Sequence, residues 1–340
     1  MQTALFDDLP APPRAGPLPP AAAVGNAPVD PALADLAAGL RERWSDRLYL
    51  GTSSWHFPGW AGLVWDQAWP AATLSRAGLA AYARHPLLRT VSLDRAFYRA
   101  LDRATAHGLA DQVRDVAPSF RFLVKAPAAL SDAVLREPGS GAASQPNPQF
   151  LDPGLAADTA AALSDGLGPT WGVLVLQLSP LPRAWRATPD RLHRRLATCL
   201  AALRAAMPTD TLLGVELRDA ELLQPPLAAL LRAEGARYVL GLHDRLPPLA
   251  EQLPMLRAGW PGDLVCRWNL QRGQRYADAR DRWAPFDRLQ APDPDTRQGL
   301  ARVMRATLDA GHRVFVTVNN KAEGSAPASV RALAEALSSA

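Results

Sequence analysis

Lysine is almost missing from this sequence. Only Lys125 and Lys321 occur among 37 basic residues, and every other cation is an arginine. A lysine retained against such a bias is a candidate for a role that arginine cannot fill, because its amine is compact and can lose its proton. Lys125 ends an apolar run at 120–125, where a buried strand would emerge into a loop, and we interpret it as functional. Lys321 lacks this pattern, and we interpret it as a surface lysine.

Cysteine and long apolar runs are also scarce. Cys199 and Cys266 are too few and too far apart for a disulfide framework or a metal knuckle, and both lie in apolar patterns typical of a core. The longest apolar stretches, such as 171–178, are far shorter than the roughly 20 residues that span a bilayer, so no membrane span is predicted. The N-terminus has no positively charged region followed by an apolar segment, which favours a cytoplasmic protein.

Three glycine-based motifs are absent. The sequence has no Gly-x-Gly-x-x-Gly after its first predicted strand, no Gly-x-x-x-x-Gly-Lys-Ser/Thr and no Gly-x-Ser-x-Gly. These absences argue against a dinucleotide-binding fold, a P-loop nucleotidase and an α/β-hydrolase. The net charge of +4 comes from arginines scattered along the chain, so it permits contact with nucleic acid without indicating it.

Proline, alanine and glycine dominate residues 9–31, a composition that cannot bury enough surface to order itself. We therefore interpret residues 1–31 as a flexible tail and residues 32–340 as one domain. A short helix is predicted over 31–44, since Asp30 and Pro31 suit the cap and the first position of a helix.

Short apolar runs then alternate with longer Ala/Leu/Arg segments of helical spacing. Strands that are apolar on both faces suit a parallel sheet covered by helices, and eight βα units are the number found in a closed (β/α)₈ TIM-type barrel. A doubly wound open sheet is the alternative, and we favour the barrel. The eight predicted strands are 48–53, 88–93, 120–125, 172–178, 212–217, 237–242, 264–268 and 314–318.

Motifs stand at the carboxyl ends of these strands. The first is Gly51-Thr-Ser-Ser-Trp-His-Phe-Pro-Gly-Trp60, and the others, in order, are 90–98, 120–127, 176–180, 215–218, Arg267 and 318–320. Together they resemble the DUF72 or YecE-like family, TIM barrels without an established general activity, whose opening motif is Gly-Thr-Ser-Gly-Trp-x-Tyr-x-x-Trp. The resemblance covers about 48–337 and implies a TIM barrel of unknown specific activity.

The sequence departs from the family pattern in its second motif. The family usually carries Glu and Asn where Ser92 and Asp94 stand here, and a small polar residue in place of Ala96. Residues 135–152, rich in Gly, Pro, Ser and Asn, are an insertion that we expect to be an irregular excursion, either a lid or a plain loop.

The active site of such a barrel is built at the C-terminal strand ends. Lys125, Arg218 and Arg267 end three different strands and can converge on one anionic group. Glu216 lies on the same strand face as Arg218 and can serve as general acid or base. We therefore predict a pocket for a phosphate- or carboxylate-bearing ligand, with His243 as a further catalytic candidate. The alternative is that these charges only pair with one another inside the barrel mouth.

Other polar and aromatic residues at the strand ends are candidates for substrate contacts. The aromatic ones can stack on a ring or fill the core, and the amides can hold a ligand or form a turn. No metal or cofactor is implied, although a single divalent ion on Asp94, Glu216 and His243 is an alternative. The candidates are Trp55, His56, Asp94, Tyr98, Gln177, Asn319 and Asn320.

A second signal lies in the predicted tail. Gln2, Leu5 and Phe6 form a Gln-x-x-Leu-Phe peptide that resembles the one with which bacterial DNA-processing proteins dock on the replication sliding clamp. Leu5 and Phe6 would fill an apolar cleft, with the tail as a tether. A chance match is the alternative.

Three functions thus stay open: an enzyme, such as a hydrolase or lyase, acting on an anionic substrate; a DNA-associated nuclease, repair factor or non-catalytic binder; and a barrel that binds a metabolite without turnover.

Overall fold

Eight parallel strands close on themselves into a barrel. The computed structural model of the protein describes residues 23–136 and 143–339. Each barrel strand lies beside the next one along the chain, and the last pairs with the first along its whole length, which confirms the closed barrel and excludes the open sheet. The barrel strands are β1 (Leu48–Thr52), β2 (Leu88–Leu93), β3 (Arg121–Lys125), β6 (Trp171–Gln177), β7 (Leu212–Glu216), β8 (Arg237–Leu242), β9 (Leu264–Trp268) and β10 (Val314–Val318), with β4 (Val134–Arg136) and β5 (Ala143–Pro146) outside it.

Helices surround the barrel, and four of them begin at an aspartate that caps the first turn. Asp30, Asp102, Asp152 and Asp293 each accept a hydrogen bond from a backbone N–H of the first turn of the helix that follows. The predicted helix over 31–44 is confirmed at these bounds. The helices are α1 (Pro31–Trp44), α2 (Ala71–Ala77), α3 (Leu79–Arg84), α4 (Arg103–Arg114), α5 (Ala128–Ser131), α6 (Pro153–Leu167), α7 (Arg183–Arg186), α8 (Pro189–Ala206), α9 (Pro225–Ala233), α10 (Leu249–Ala258), α11 (Tyr276–Trp283), α12 (Pro294–Asp309) and α13 (Ala326–Ser339).

The barrel interior has an apolar lower part and a polar upper part. Successive strand residues point to opposite faces, so every second residue enters the barrel and the others pack under the helices. The lower interior is a cluster of buried apolar side chains: Tyr49, Leu123, Val173, Val175, Leu212, Val239, Val265 and Phe315. Further toward the carboxyl ends, the same strand faces carry Lys125, Gln177, Glu216, Arg267 and Thr317, all buried.

Part of the predicted tail is packed on the barrel. Val24 and Ala27 are buried, and the Asn26 side chain donates a hydrogen bond to the Ala81 carbonyl at 2.6 Å. Asn26 also pairs with Trp65 as an isolated bridge. Residues 23–30 therefore belong to the folded unit, while Gln2, Leu5 and Phe6 lie outside the described residues.

The predicted irregular insertion contains ordered structure, which corrects that expectation. Strands β4 and β5 pair as an antiparallel hairpin. The Asn147 side chain donates to the carbonyls of Ala129 and Asp132 at 2.8 and 2.7 Å, and Phe150 and Leu151 are each 1% exposed. Burial of these two apolar side chains holds the end of the insertion against the barrel, because exposing them to water would lose their hydrophobic stabilisation.

The two cysteines have the surroundings predicted for them. Cys199 and Cys266 are free, buried thiols in the apolar core. Within 23–136 and 143–339, no helix is long and apolar enough to cross a membrane.

Candidate functional site

Charged side chains from several strands meet at the carboxyl end of the barrel. Register pairing places Gln177 of β6 beside Glu216 of β7, and Gly241 of β8 beside Arg267 of β9. Because all eight strands run in parallel, the side chains of Gln177, Glu216 and Arg267 enter the barrel above the apolar interior. The predicted convergence of charges is present, and we call this group of side chains the charged layer, consisting of Asp94, Lys125, Gln177, Glu216, Arg218 and Arg267.

Arg267 is the centre of the charged layer. Its Nη2 donates to both carboxylate oxygens of Asp94 at 2.7 and 2.8 Å. Its Nη1 donates to Glu216 at 2.5 Å and to the Gln177 amide oxygen at 3.2 Å. Burial opposes the charge of the guanidinium, but the carboxylates of Asp94 and Glu216 outweigh it and raise the pKa of Arg267 above its usual range. Arg267 is therefore a permanent cation whose two terminal nitrogens are occupied.

Glu216 lies between two arginines. Its side chain is 0% exposed, Oε2 accepts a hydrogen bond from Arg267 Nη1, and Oε1 forms an ion pair with Arg218 Nη2 at 2.7 Å. Burial by itself would raise the pKa of this carboxyl group, but the guanidinium of Arg218 and then that of Arg267 lower it below its usual range. Glu216 is therefore ionised near neutral pH. Its contacts are those of the alternative in which the charges of the barrel mouth pair with one another. This arrangement does not suit the predicted acid or base role, which needs a pKa near the working pH.

Arg218 has hydrogen-bonding capacity to spare. Its Nη2 is shared between Glu216 and the Gln177 amide oxygen, 3.2 Å away. Its Nε and Nη1 are buried and have no hydrogen-bond partner among the described residues. Gly241 lies beneath this group, where an added Cβ would come within 3.7 Å of Arg218 Nη1. Arg267 Nε also lacks a partner, but Arg218 is the one arginine among the described residues with two such buried nitrogens, which makes it the candidate for binding an acceptor group.

Lys125 presents its amine to the charged layer without an ion-pair partner among the described residues. The side chain is buried, with 8% of the residue exposed, and Nζ lies 3.7 Å from the centroid of the Phe97 ring. Burial lowers the pKa of this amine to about 7, although the nearby Asp94 carboxylate opposes the shift. Lys125 is therefore the group of the charged layer that changes protonation near neutral pH.

His243 follows β8 at the edge of the charged layer. Its Nδ1 contacts a carboxylate oxygen of Asp244. Burial, reinforced by Arg218, lowers the pKa of His243 to about 4, so the imidazole is neutral near pH 7. The described residues contain no group of three or more His, Cys, Asp or Glu side chains that could hold a metal ion.

Several predicted contact residues have structural partners instead. Trp55 is 2% exposed and its indole donates to the Leu74 carbonyl at 3.0 Å, so it fills the core, one of the two roles left open for the aromatic candidates. Asn320 is 2% exposed, and its Oδ1 accepts from the Trp60 indole at 3.1 Å and from a backbone N–H at 2.8 Å.

Three further candidates lie around the rim of the barrel. The Oδ1 of Asn319 accepts from the Lys321 backbone N–H at 3.0 Å, the turn-forming alternative for this residue. His56 bonds through Nδ1 to the Ser54 hydroxyl at 2.7 Å, and burial lowers the pKa of its imidazole to about 4. Tyr98 is 50% exposed beside the Phe97 ring.

Lys321 is buried, and the expectation of a surface lysine is wrong. It is 4% exposed, and Nζ lies 4.1 Å from the centroid of the Tyr276 ring and 5.4 Å from that of Phe286. Burial lowers the pKa of its amine to about 7. The segment that carries Tyr276 and Phe286 is distant in sequence, so no local pattern around Lys321 could show this burial.

Two residues of the site, Asn269 and Ser92, were not among the predicted candidates. Asn269 follows β9, two residues after Arg267, and its amide lies 3.5 Å from Glu216 Oε1. Asn269 could have been predicted from the two-residue spacing that places Glu216 and Arg218 on one face of their strand. Ser92 donates to Asp94 Oδ1 at 2.6 Å, which joins two of the three departures from the family's second motif in one contact.

Comparisons with known proteins agree with this architecture. A family model described as "Protein of unknown function DUF72" matches residues 49–340. A solved DUF72 family protein from Enterococcus faecalis is 16% identical with a TM-score of 0.56, covering 86% of this chain and 95% of its own. Another from Thermotoga maritima is 15% identical with a TM-score of 0.54, covering 86% of this chain and 99% of its own. No curated protein matches the chain. The family match extends over nearly the whole barrel, so the chain belongs to the DUF72 family.

Proposed function

We propose that the barrel mouth binds an anionic ligand carrying a phosphate or carboxylate group, and that Lys125 transfers a proton to or from it. The observation that carries the proposal is the pair of buried Arg218 nitrogens, Nε and Nη1, which have no acceptor among the described residues. An anionic oxygen supplies the strongest acceptor for such donors, because charge-assisted hydrogen bonds to a guanidinium are about twice as strong as neutral ones.

The balance of charge in the layer also favours an anion. Three cations, Lys125, Arg218 and Arg267, meet two carboxylates, those of Asp94 and Glu216, and Arg267 is bonded to both carboxylates. One positive charge is therefore in excess when Lys125 is protonated. Burial strengthens its attraction for an anion, since charges interact more strongly away from water.

Proton transfer is assigned to Lys125 and not to Glu216. A general acid or base works best when its pKa lies near the pH of the reaction. The pKa of Lys125 is lowered by burial to about 7, whereas the pKa of Glu216 is held below its usual range by its two arginines. In this proposal Glu216 and Arg267 orient Arg218 and set the field around the amine.

Calorimetric titration of the full-length protein with oxalate and, separately, inorganic phosphate tests the anion site. We expect binding of at least one of them, and Arg218→Gln should weaken it by about tenfold or more, the loss expected for a charge-assisted hydrogen bond. Oxalate keeps its charge between pH 6 and pH 9, so its binding should weaken over this range as Lys125 loses its proton.

Arg313→Gln is the matched control. Arg313 also pairs with a carboxylate, that of Asp263 at 3.2 Å, but it precedes β10 at the opposite end of the barrel. Equal anion affinity in the Arg218 and Arg313 variants, or no binding of either anion by the wild-type protein, would refute the proposal. Circular dichroism of both variants checks that each remains folded.

A further inference from the structure

The two lysines form a matched pair with one difference. Both are buried, both place Nζ close to an aromatic ring, at 3.7 Å from Phe97 for Lys125 and 4.1 Å from Tyr276 for Lys321, and burial lowers both pKa values to about 7. The charges around them differ. Asp94 is the charge that acts most on Lys125, whereas Arg280 is the one that acts on Lys321.

The Arg218 donors distinguish the surroundings of Lys125. The charge of Arg218 acts on the pKa of Lys125, and its buried Nε and Nη1 lack acceptors within the described part of the chain. A ligand whose anionic group is held by Arg218 would present its remaining atoms to the uncharged form of the Lys125 amine. A desolvated lysine beside other cations is a nucleophile toward carbonyl carbon, because its nitrogen lone pair is free when the proton is lost.

We propose that Lys125 forms an imine with the carbonyl carbon of an aldehyde or ketone that also carries an anionic group held by Arg218. This inference rests on the anion site described under Proposed function. It names the ligand class as a carbonyl-bearing anion, and it makes Lys125 a covalent nucleophile as well as a proton carrier.

The step balances without an added oxidant or reductant. The Nζ lone pair forms the N–C bond, and the π electrons of the carbonyl move to its oxygen, which takes a proton. Nitrogen gives up its first proton to give the carbinolamine. Oxygen then takes a second proton, the C–O bond breaks and water leaves, and nitrogen gives up its second proton as the neutral C=N bond is completed.

Borohydride trapping of the full-length protein tests the inference. The protein is incubated near pH 7.5 with glyoxylate, an anionic aldehyde, or with acetaldehyde, a neutral one, and any imine is reduced and mapped by peptide mass spectrometry. We expect glyoxylate to modify Lys125 about tenfold faster than Lys321, because bound substrate has a high effective concentration. Acetaldehyde should show no such preference, since it has no group for Arg218.

The two lysines serve as mutual controls in one molecule, so the main comparison needs no variant. Arg218→Gln should remove the preference of glyoxylate for Lys125, and Lys125→Arg should remove the adduct there. Equal modification of both lysines by glyoxylate would overturn the imine proposal. Oxalate or phosphate binding without any Lys125 adduct would overturn it as well while leaving the anion site standing, whereas loss of both would defeat the two proposals together.

Discussion

Lys125 and Lys321 hold their amines against aromatic rings, away from water. The face of an aromatic ring attracts a cation. This attraction is weaker than the hydration free energy that the ammonium group loses on burial, so the charged form is disfavoured. The pKa of each amine falls to about 7 for this reason. Lysine is charged at neutral pH on almost any protein surface, but at these two buried positions it titrates near pH 7.

The lysines should make the stability of the fold depend on pH. Between pH 7 and about 8.5 an unfolded lysine keeps its proton while the folded amine loses it, so the free energy of unfolding should rise by up to roughly 1.4 kcal/mol per pH unit for each lysine. Above this window Cys199 and Cys266 oppose the trend, because burial raises both thiol pKa values and the unfolded thiols ionise first. Urea unfolding at several pH values measures the slope.

Replacement of each lysine isolates its share of that slope. Lys321→Met should remove about half of the rise with pH, and Lys125→Met should remove a similar part, whereas Arg41→Met, at an exposed arginine of α1, should leave the slope unchanged. Because the chain has only two lysines, ¹⁵N-lysine labelling also gives two amine signals that can be titrated directly. Titration of both near pH 10.4, the ordinary lysine value, would contradict the predicted shift.

At the scale of elements, the alternation of side chains along each strand places the charged residues inside the barrel. Glu216 ends β7 and Arg218 follows two residues later, so both point into the barrel. This much of the site could be predicted, because the period of a strand is local. The contacts of Asn320 and Trp55 could not be, since their partners, Trp60 and Leu74, come from loops and helices whose positions depend on packing.

Gly51 of β1 marks a close approach between strands. A Cβ at this position would lie 1.8 Å from the backbone oxygen of Thr90 on β2. We expect Gly51→Ala to destabilise the protein by about 3 kcal/mol or more, because the neighbouring backbone has to move. Gly108→Ala is the matched control in the exposed face of α4, where no atom lies within 4 Å of an added Cβ.

Urea unfolding of both glycine variants separates the two effects. Gly108→Ala should stabilise the protein by about 0.5–1 kcal/mol, because alanine is the better helix former. A Gly51→Ala variant as stable as the wild type would show that strands β1 and β2 do not approach each other as closely as this register requires.

At the scale of the whole molecule, the Gln2, Leu5 and Phe6 peptide remains a prediction, since it lies outside the described residues. We expect a synthetic peptide of residues 1–10 to bind a bacterial sliding clamp in the micromolar range, and replacement of Leu5 and Phe6 by alanine to abolish binding. Fluorescence polarisation measures both. A scrambled peptide is the control, and failure to bind under conditions in which an established clamp peptide binds would remove the argument for a role near DNA.

The sequence by itself determined the eight strands and the barrel, because strand periodicity and apolar runs are local properties that a parallel barrel requires. The resemblance of its strand-end motifs indicated the family. The sequence also placed Lys125, Glu216, Arg218 and Arg267 at strand ends. Closure of the barrel alone decided which charges meet there: Arg267 is occupied by Asp94 and Glu216, Arg218 keeps two free donors, and Lys125 is left without a carboxylate partner among the described residues. Protonation and pairing depend on distance and burial, and these arise only when segments far apart in the chain are packed together.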